Sequence, residues 1–91
     1  MKYPEYISPE GKVYACIGWA CGLPKLNWEW YAFEHLEEDI YWGYVMGFEN
    51  EYGSFSIKEL SDNGIRFYTE PSDLNQLEPP LGWNKVNNTG I

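Results

Sequence analysis

Three groups of side chains in this 91-residue chain could do chemistry. Glu37-Glu38-Asp39 form one acidic turn, and Glu49 and Glu51 belong to a second polar turn, Glu49 to Gly53. Five carboxylates could hold a hard cation if the turns met, or dock a basic surface if they did not. Neither turn has the calcium-loop spacing or its central glycine. His35, the single histidine, stands beside Glu34, Glu37, Glu38 and Asp39. That is the makeup of a general base with a carboxylate orienter; the simpler reading is a solvated loop histidine with no function. Glu34 and Glu51 would serve as a general acid and base only if the fold paired them. Cys16 and Cys21 are four residues apart, and no second pair completes a zinc site. Two free, partly buried thiols are expected, with a strained local disulfide as the alternative. There is no G-x-S-x-G turn and no phosphate-cradling glycine loop. The residues therefore predict no catalytic site, no metal and no cofactor. They predict partner binding through Glu37, Glu38, Asp39, Glu49 and Glu51, with Trp42 between the turns.

Those residues need a frame, and the stretch from Trp28 to Leu60 supplies it. Trp28 to Glu34 and Ile40 to Phe48 read as two strands, joined by His35 to Asp39 as a hairpin loop. On the first strand Trp28, Trp30, Ala32 and Glu34 share one parity. On the second Ile40, Trp42, Tyr44, Met46 and Phe48 share a face, with Gly43 and Gly47 on the other. A short helix through Ala32 to Ile40 is the alternative. Both faces of the hairpin are partly apolar, so the second face needs cover from the N-terminal arm, the 19–27 loop, a helix or a partner chain. The glycines relieve crowding by rings or mark a bulge. Ser56-Ile57-Lys58-Glu59 matches the capping box and starts a helix from Ile57 to about Asp62, ended by Asn63-Gly64.

Around this frame, residues 1–11 read as an extended arm ending in the turn Pro9-Glu10-Gly11. Lys12 to Gly18 reads as a strand. Trp19 to Asn27, broken by Gly22 and Pro24, reads as a loop whose Trp19, Leu23 and Leu26 pack inward. Ile65 to Thr69 is a short strand. From Glu70 the segment 70–91 is irregular: Leu74 and Leu77 anchor one helical turn, Leu81 and Trp83 dock, and Asn84 to Ile91 frays. Asn87-Asn88-Thr89 fits a glycosylation acceptor by chance. The predicted fold is a single α+β domain: a mainly antiparallel sheet of three to five strands, with the hairpin central and one short helix.

Seventeen Phe, Trp and Tyr residues give so short a chain a core, since each can bury roughly 150–250 Å². Fourteen acidic against six basic residues leave a net charge of −8, and no Lys or Arg lies between Lys25 and Lys58. Such a surface repels phosphate, so no direct nucleic-acid binding is expected. It favours encounter with a basic protein surface, and it also keeps an aromatic-rich chain soluble. No apolar run reaches transmembrane length and the first residues lack a signal-peptide core, which predicts no membrane contact and a cytoplasmic location.

The motifs W-E-W-Y-A-F-E, Y-W-G-Y-V-M-G and E-Y-G-S-F-S-I-K-E-L, within residues 28–60, resemble the family catalogued as domain of unknown function twenty-nine fifty-eight. That family is common on plasmids, integrative elements and phages. The chain differs from its pattern at Ser54, where an aromatic is usual, and at Asn63-Gly64-Ile65-Arg66. The resemblance implies a mobile-element setting and no defined activity. With the charge, it suggests a non-enzymatic anti-CRISPR or anti-restriction inhibitor that occupies the place of phosphate on a host protein or nucleoprotein complex. The two-sided hairpin also allows a homodimer. The other reading is a small-molecule pocket or minor enzyme using Trp19, Trp42 and the carboxylates.

Overall fold

A computed structural model describes residues 1–22 and 27–86. The expectations for Leu23, Leu26 and Asn87-Asn88-Thr89 lie outside these residues. Among the described residues the chain forms β1 (Glu5–Ile7), β2 (Val13–Ala15), β3 (Gly18–Cys21), β4 (Glu29–Glu37), β5 (Ile40–Met46) and β6 (Asn50–Ser56). Then come α1 (Ile57–Asp62), β7 (Phe67–Tyr68), α2 (Pro71–Leu74) and β8 (Asn84–Lys85). Every strand pairing is antiparallel. The coarse α+β expectation holds, but there are two sheets, ordered β2-β1-β8 and β6-β5-β4-β3-β7, and two short helices. No helix of the described residues is long and apolar enough to cross a membrane.

The β4–β5 hairpin is central, as its alternation predicts. Its turn is tighter than the five-residue insert expected, because His35-Leu36-Glu37 continue β4. His35 helps close it: Nε2 lies 2.6 Å from the Glu38 carbonyl, which only accepts, so Nε2 carries the proton. Glu38 takes a positive φ of 34°, a conformation tight hairpins usually give to Gly or Asn. The register slips between Ala32 and Glu34. The slip sets Glu34 opposite Trp42, off the Trp30–Ala32 parity that simple alternation assigns it. At this bulge the backbones come close. A Cβ on Gly43 would sit 1.8 Å from the Tyr31 carbonyl oxygen, which explains the glycine.

The inner face of the large sheet packs against the small sheet. Tyr14 of β2 stacks on Phe33 at 4.7 Å, and Trp83 lies 4.9 Å from Tyr44 and 5.6 Å from Phe33. The chain changes sheets at Cys16 and Ile17: the Cys16 N–H donates to the Pro4 carbonyl, and the Ile17 N–H to the Ala32 carbonyl. Gly18–Cys21 then pairs with β4, so the 19–27 loop expected from Gly22 and Pro24 begins as a strand. Likewise the N-terminal arm holds the central strand of the small sheet, and the C-terminal segment returns as β8 beside it. Leu74 and Trp83 are buried as expected, but Leu81 is 87% exposed. It sits in the turn closed by the Trp83 N–H on the Pro80 carbonyl, with Gly82 at φ 89°.

The outer face has less cover. Leu60 of α1 and Ile65 pack on Trp30 and Ala20, with Phe55, Ile57 and Phe67 at the margin. At the end of the sheet Trp28 is partly buried against this cluster, and Phe48 beside it is exposed among the described residues.

Candidate functional site

The two acidic turns lie at opposite ends of β5, as antiparallel pairing requires. They do not converge, and among the described residues no three His, Cys, Asp or Glu side chains are grouped to hold a metal. Glu34 stands opposite Trp42, and Glu51 opposite Val45. Trp42 and Val45 point to opposite faces of β5, so Glu34 and Glu51 cannot act as a pair. Glu51 also lies in β6, because that strand begins at Asn50 and leaves a shorter turn than the Glu49–Gly53 expected.

At the first turn the acidic residues differ in role. Glu37 and Glu38 are exposed, whereas Asp39 is half-buried and bonded to α1. The Ser56 hydroxyl donates to Asp39 Oδ2 at 2.6 Å, and the Lys58 N–H reaches the same oxygen at 3.3 Å. These bonds hold the Asp39 carboxyl below its ordinary value, the Ser56 bond most of all. The Ile57 N–H donates to the Asp39 carbonyl at 2.8 Å, and the Glu59 N–H to Ser56 Oγ at 3.1 Å. Half of the predicted capping box is therefore present. Among the described residues Glu59 makes no return bond to Ser56; the second carboxylate of the cap is Asp39, from the hairpin turn.

Trp42 is part of the inner aromatic layer. Its ring stacks on Tyr52 at 5.5 Å and 9°, and it also touches Tyr14 and Phe33. Trp19 is on the same face but on β3, two strands away from β5, where its indole N–H donates to Glu29 Oε2 at 3.2 Å. It lines a cavity of about 240 Å³ with Tyr68, Asp73, Leu74, Gln76 and Leu77. Trp42 does not line it, so the aromatic pocket suggested by these two tryptophans is not one pocket. His35 is exposed, stacked on Tyr41 at 4.5 Å and committed to the turn. The cysteines are free: Cys16 is buried and Cys21 exposed. Burial pushes the Cys16 thiol up to about 12 and also raises that of Cys21, so both disfavour the thiolate that attacks as a nucleophile.

The arrangement with most capacity to bind is the Trp28–Phe48 end of the outer face. Trp28 and Trp30 lie 5.8 Å apart, and the Phe48 ring meets Trp28 edge-on at 5.5 Å and 84°. Phe48 is 93% exposed. It is in the β5–β6 turn, beyond the end of β5, and so leaves the Trp42–Met46 face that its parity predicts. Glu49 and Glu51 join Trp28, Val45 and Phe48 around a depression of about 240 Å³. Beside it, Trp30, Phe55 and Leu60 floor a second depression of about 450 Å³, edged by Glu59 and Asp62. Trp30 itself is buried beneath Leu60 and Ile65. The depression at Trp28, Val45 and Phe48 is a shallow aromatic groove with Glu49 and Glu51 on its rim.

Of this groove, sequence reasoning found Glu49 and Glu51 and missed Trp28 and Phe48 as binding residues. The available signal was Gly47, whose Cβ would come 2.5 Å from the Trp28 ring; the glycine lets that indole pack against the turn. No family model, curated protein or solved structure matches the chain.

Proposed function

We propose that this chain is a non-enzymatic binding protein that docks a basic, nucleic-acid-binding surface of a host protein complex, as an anti-CRISPR or anti-restriction inhibitor would. The observation that carries the reading is the acid-rimmed aromatic groove at Trp28 and Phe48, with Phe48 exposed on the outer face. Its rings offer apolar area of the kind that dominates binding hot spots. Its carboxylates would steer a cationic partner and repel nucleic acid itself. Because the two acidic turns lie at opposite ends of β5, one end makes the main contact, and the aromatic rings beside Glu49 and Glu51 support choosing that end. The mobile-element resemblance of residues 28–60 supplies the setting.

The experiment is a competition assay. Labelled DNA is bound to purified CRISPR effectors and restriction endonucleases, and the protein is added. Salt-sensitive displacement from one of them is the expected result. Failure to displace DNA from any of them contradicts the anti-defence role.

A small-molecule reading finds support in the cavity beside Trp19. At about 240 Å³ it falls below the roughly 300–1,000 Å³ usual for ligand pockets, and so it ranks second. A ligand released on denaturation and seen by mass spectrometry would favour it.

A further inference from the structure

We infer that the corner made by Trp28, Phe48, Glu49 and Glu51 is an anchor pocket for a single arginine side chain of the partner protein. The inference rests on the docking of a basic segment proposed above, and it names the group that is held. Phe48 and Trp28 stand at 84°, so the corner has two aromatic walls in different planes. Trp28 is held against the turn over Gly47, so one wall is built in before any partner arrives. Glu49, in the β5–β6 turn, and Glu51, in β6, line the same depression. No Lys or Arg occurs in the sequence between Lys25 and Lys58. The one ion pair among the described residues, Lys58 with Asp62, lies on α1.

This chemistry selects guanidinium. Its flat face stacks on a ring while its edge donors reach carboxylates, two contacts in one rigid group. An ammonium has the charge without the plane. Citrulline has nearly the shape without the charge.

The test uses ¹⁵N-labelled full-length protein. The Trp28 indole N–H signal is assigned with Trp28→Phe and followed through titrations with nona-arginine, nona-lysine and nona-citrulline. Nona-arginine should shift the Trp28 signal and the backbone amides of Phe48 to Glu51. Nona-lysine should bind about two- to fivefold more weakly, and nona-citrulline should not bind. Phe48→Ser should weaken nona-arginine binding by a similar factor with no change in unfolding temperature, because Phe48 is 93% exposed. Nona-arginine binding without a Trp28 shift, or binding no tighter than nona-lysine, overturns the anchor pocket and leaves the docking reading standing. Absence of nona-arginine binding at low salt overturns both.

Discussion

Replacing Ser56 with alanine tests how the hairpin and helix α1 are joined. The Ser56 hydroxyl has two duties: it accepts from the Glu59 N–H at 3.1 Å and donates to Asp39 at 2.6 Å. With the Asp39 carbonyl and carboxylate, it satisfies the N–H groups of the first three helical residues. Such groups have no partner inside a helix. Loss of a serine cap costs about 0.5–2 kcal/mol, and the loss of the Asp39 bond places Ser56→Ala in the upper half of that range. In a domain of this size each kcal/mol moves the midpoint by roughly 4–8 °C, so Tm should fall by roughly 5–16 °C. Ser54 is exposed on the same strand, and Ser54→Ala should stay within about 0.5 kcal/mol of wild type. Circular dichroism melts and urea titrations measure both variants. Combined with Asp39→Ala, the Ser56 effect should be less than additive, because the two side chains share one bond. Unfolding of Ser56→Ala at the wild-type temperature, or strict additivity with Asp39→Ala, would refute the shared cap.

Three further outcomes follow from the geometry. Gly43→Ala should destabilise by roughly 1–3 kcal/mol or more, because its Cβ would meet the Tyr31 carbonyl oxygen at 1.8 Å, whereas Gly53→Ala, with open space around it, should be nearly neutral by the same melts. The Asp39 carboxyl is held below its ordinary value of 3.8, so its stabilisation is complete above that value and is lost as pH falls through the lower folded value. Urea midpoints of wild type and Asp39→Asn should therefore differ near neutrality and converge in acid. A thiol-reactive probe should label Cys21 alone in the native state and Cys16 only on unfolding, as read by mass spectrometry.

The sequence announced what is local and hid what is distant. Alternation over Trp28 to Met46 was enough to place the central hairpin, and Ser56-x-x-Glu59 was enough to place the start of α1. Asp39, the other half of the cap, is brought in by the β4–β5 turn, and no local pattern reports it. Pairing of Tyr6 with Lys85 joins the two ends of the chain, so the second sheet could not be read from either segment alone. Gly22 and Pro24 obscured β3, whose two central residues, Trp19 and Ala20, are fixed by β4 and β7 rather than by their own propensity. At the site, the acidic residues were legible as charge. The groove was not, because Phe48 continues the apolar parity of β5 and only the end of the strand at Met46 turns it out to solvent.

The most direct test of the docking surface compares charge reversal at the two ends of β5. A lysine- and arginine-rich peptide is titrated into wild type, Glu49→Lys/Glu51→Lys and Glu37→Lys/Glu38→Lys, at about 0.01 and about 0.15 M salt. Seven residues of β5 separate the turns, roughly 23 Å at about 3.3 Å per residue, beyond the Debye length of about 8 Å at the higher salt. Reversal beside the rings should cost about tenfold or more in affinity at the higher salt, and reversal at the far turn much less, with unfolding temperatures unchanged. Wild-type binding should weaken as salt rises. Equal losses at the two ends, or binding indifferent to salt, would contradict a docking site at the Trp28–Phe48 groove.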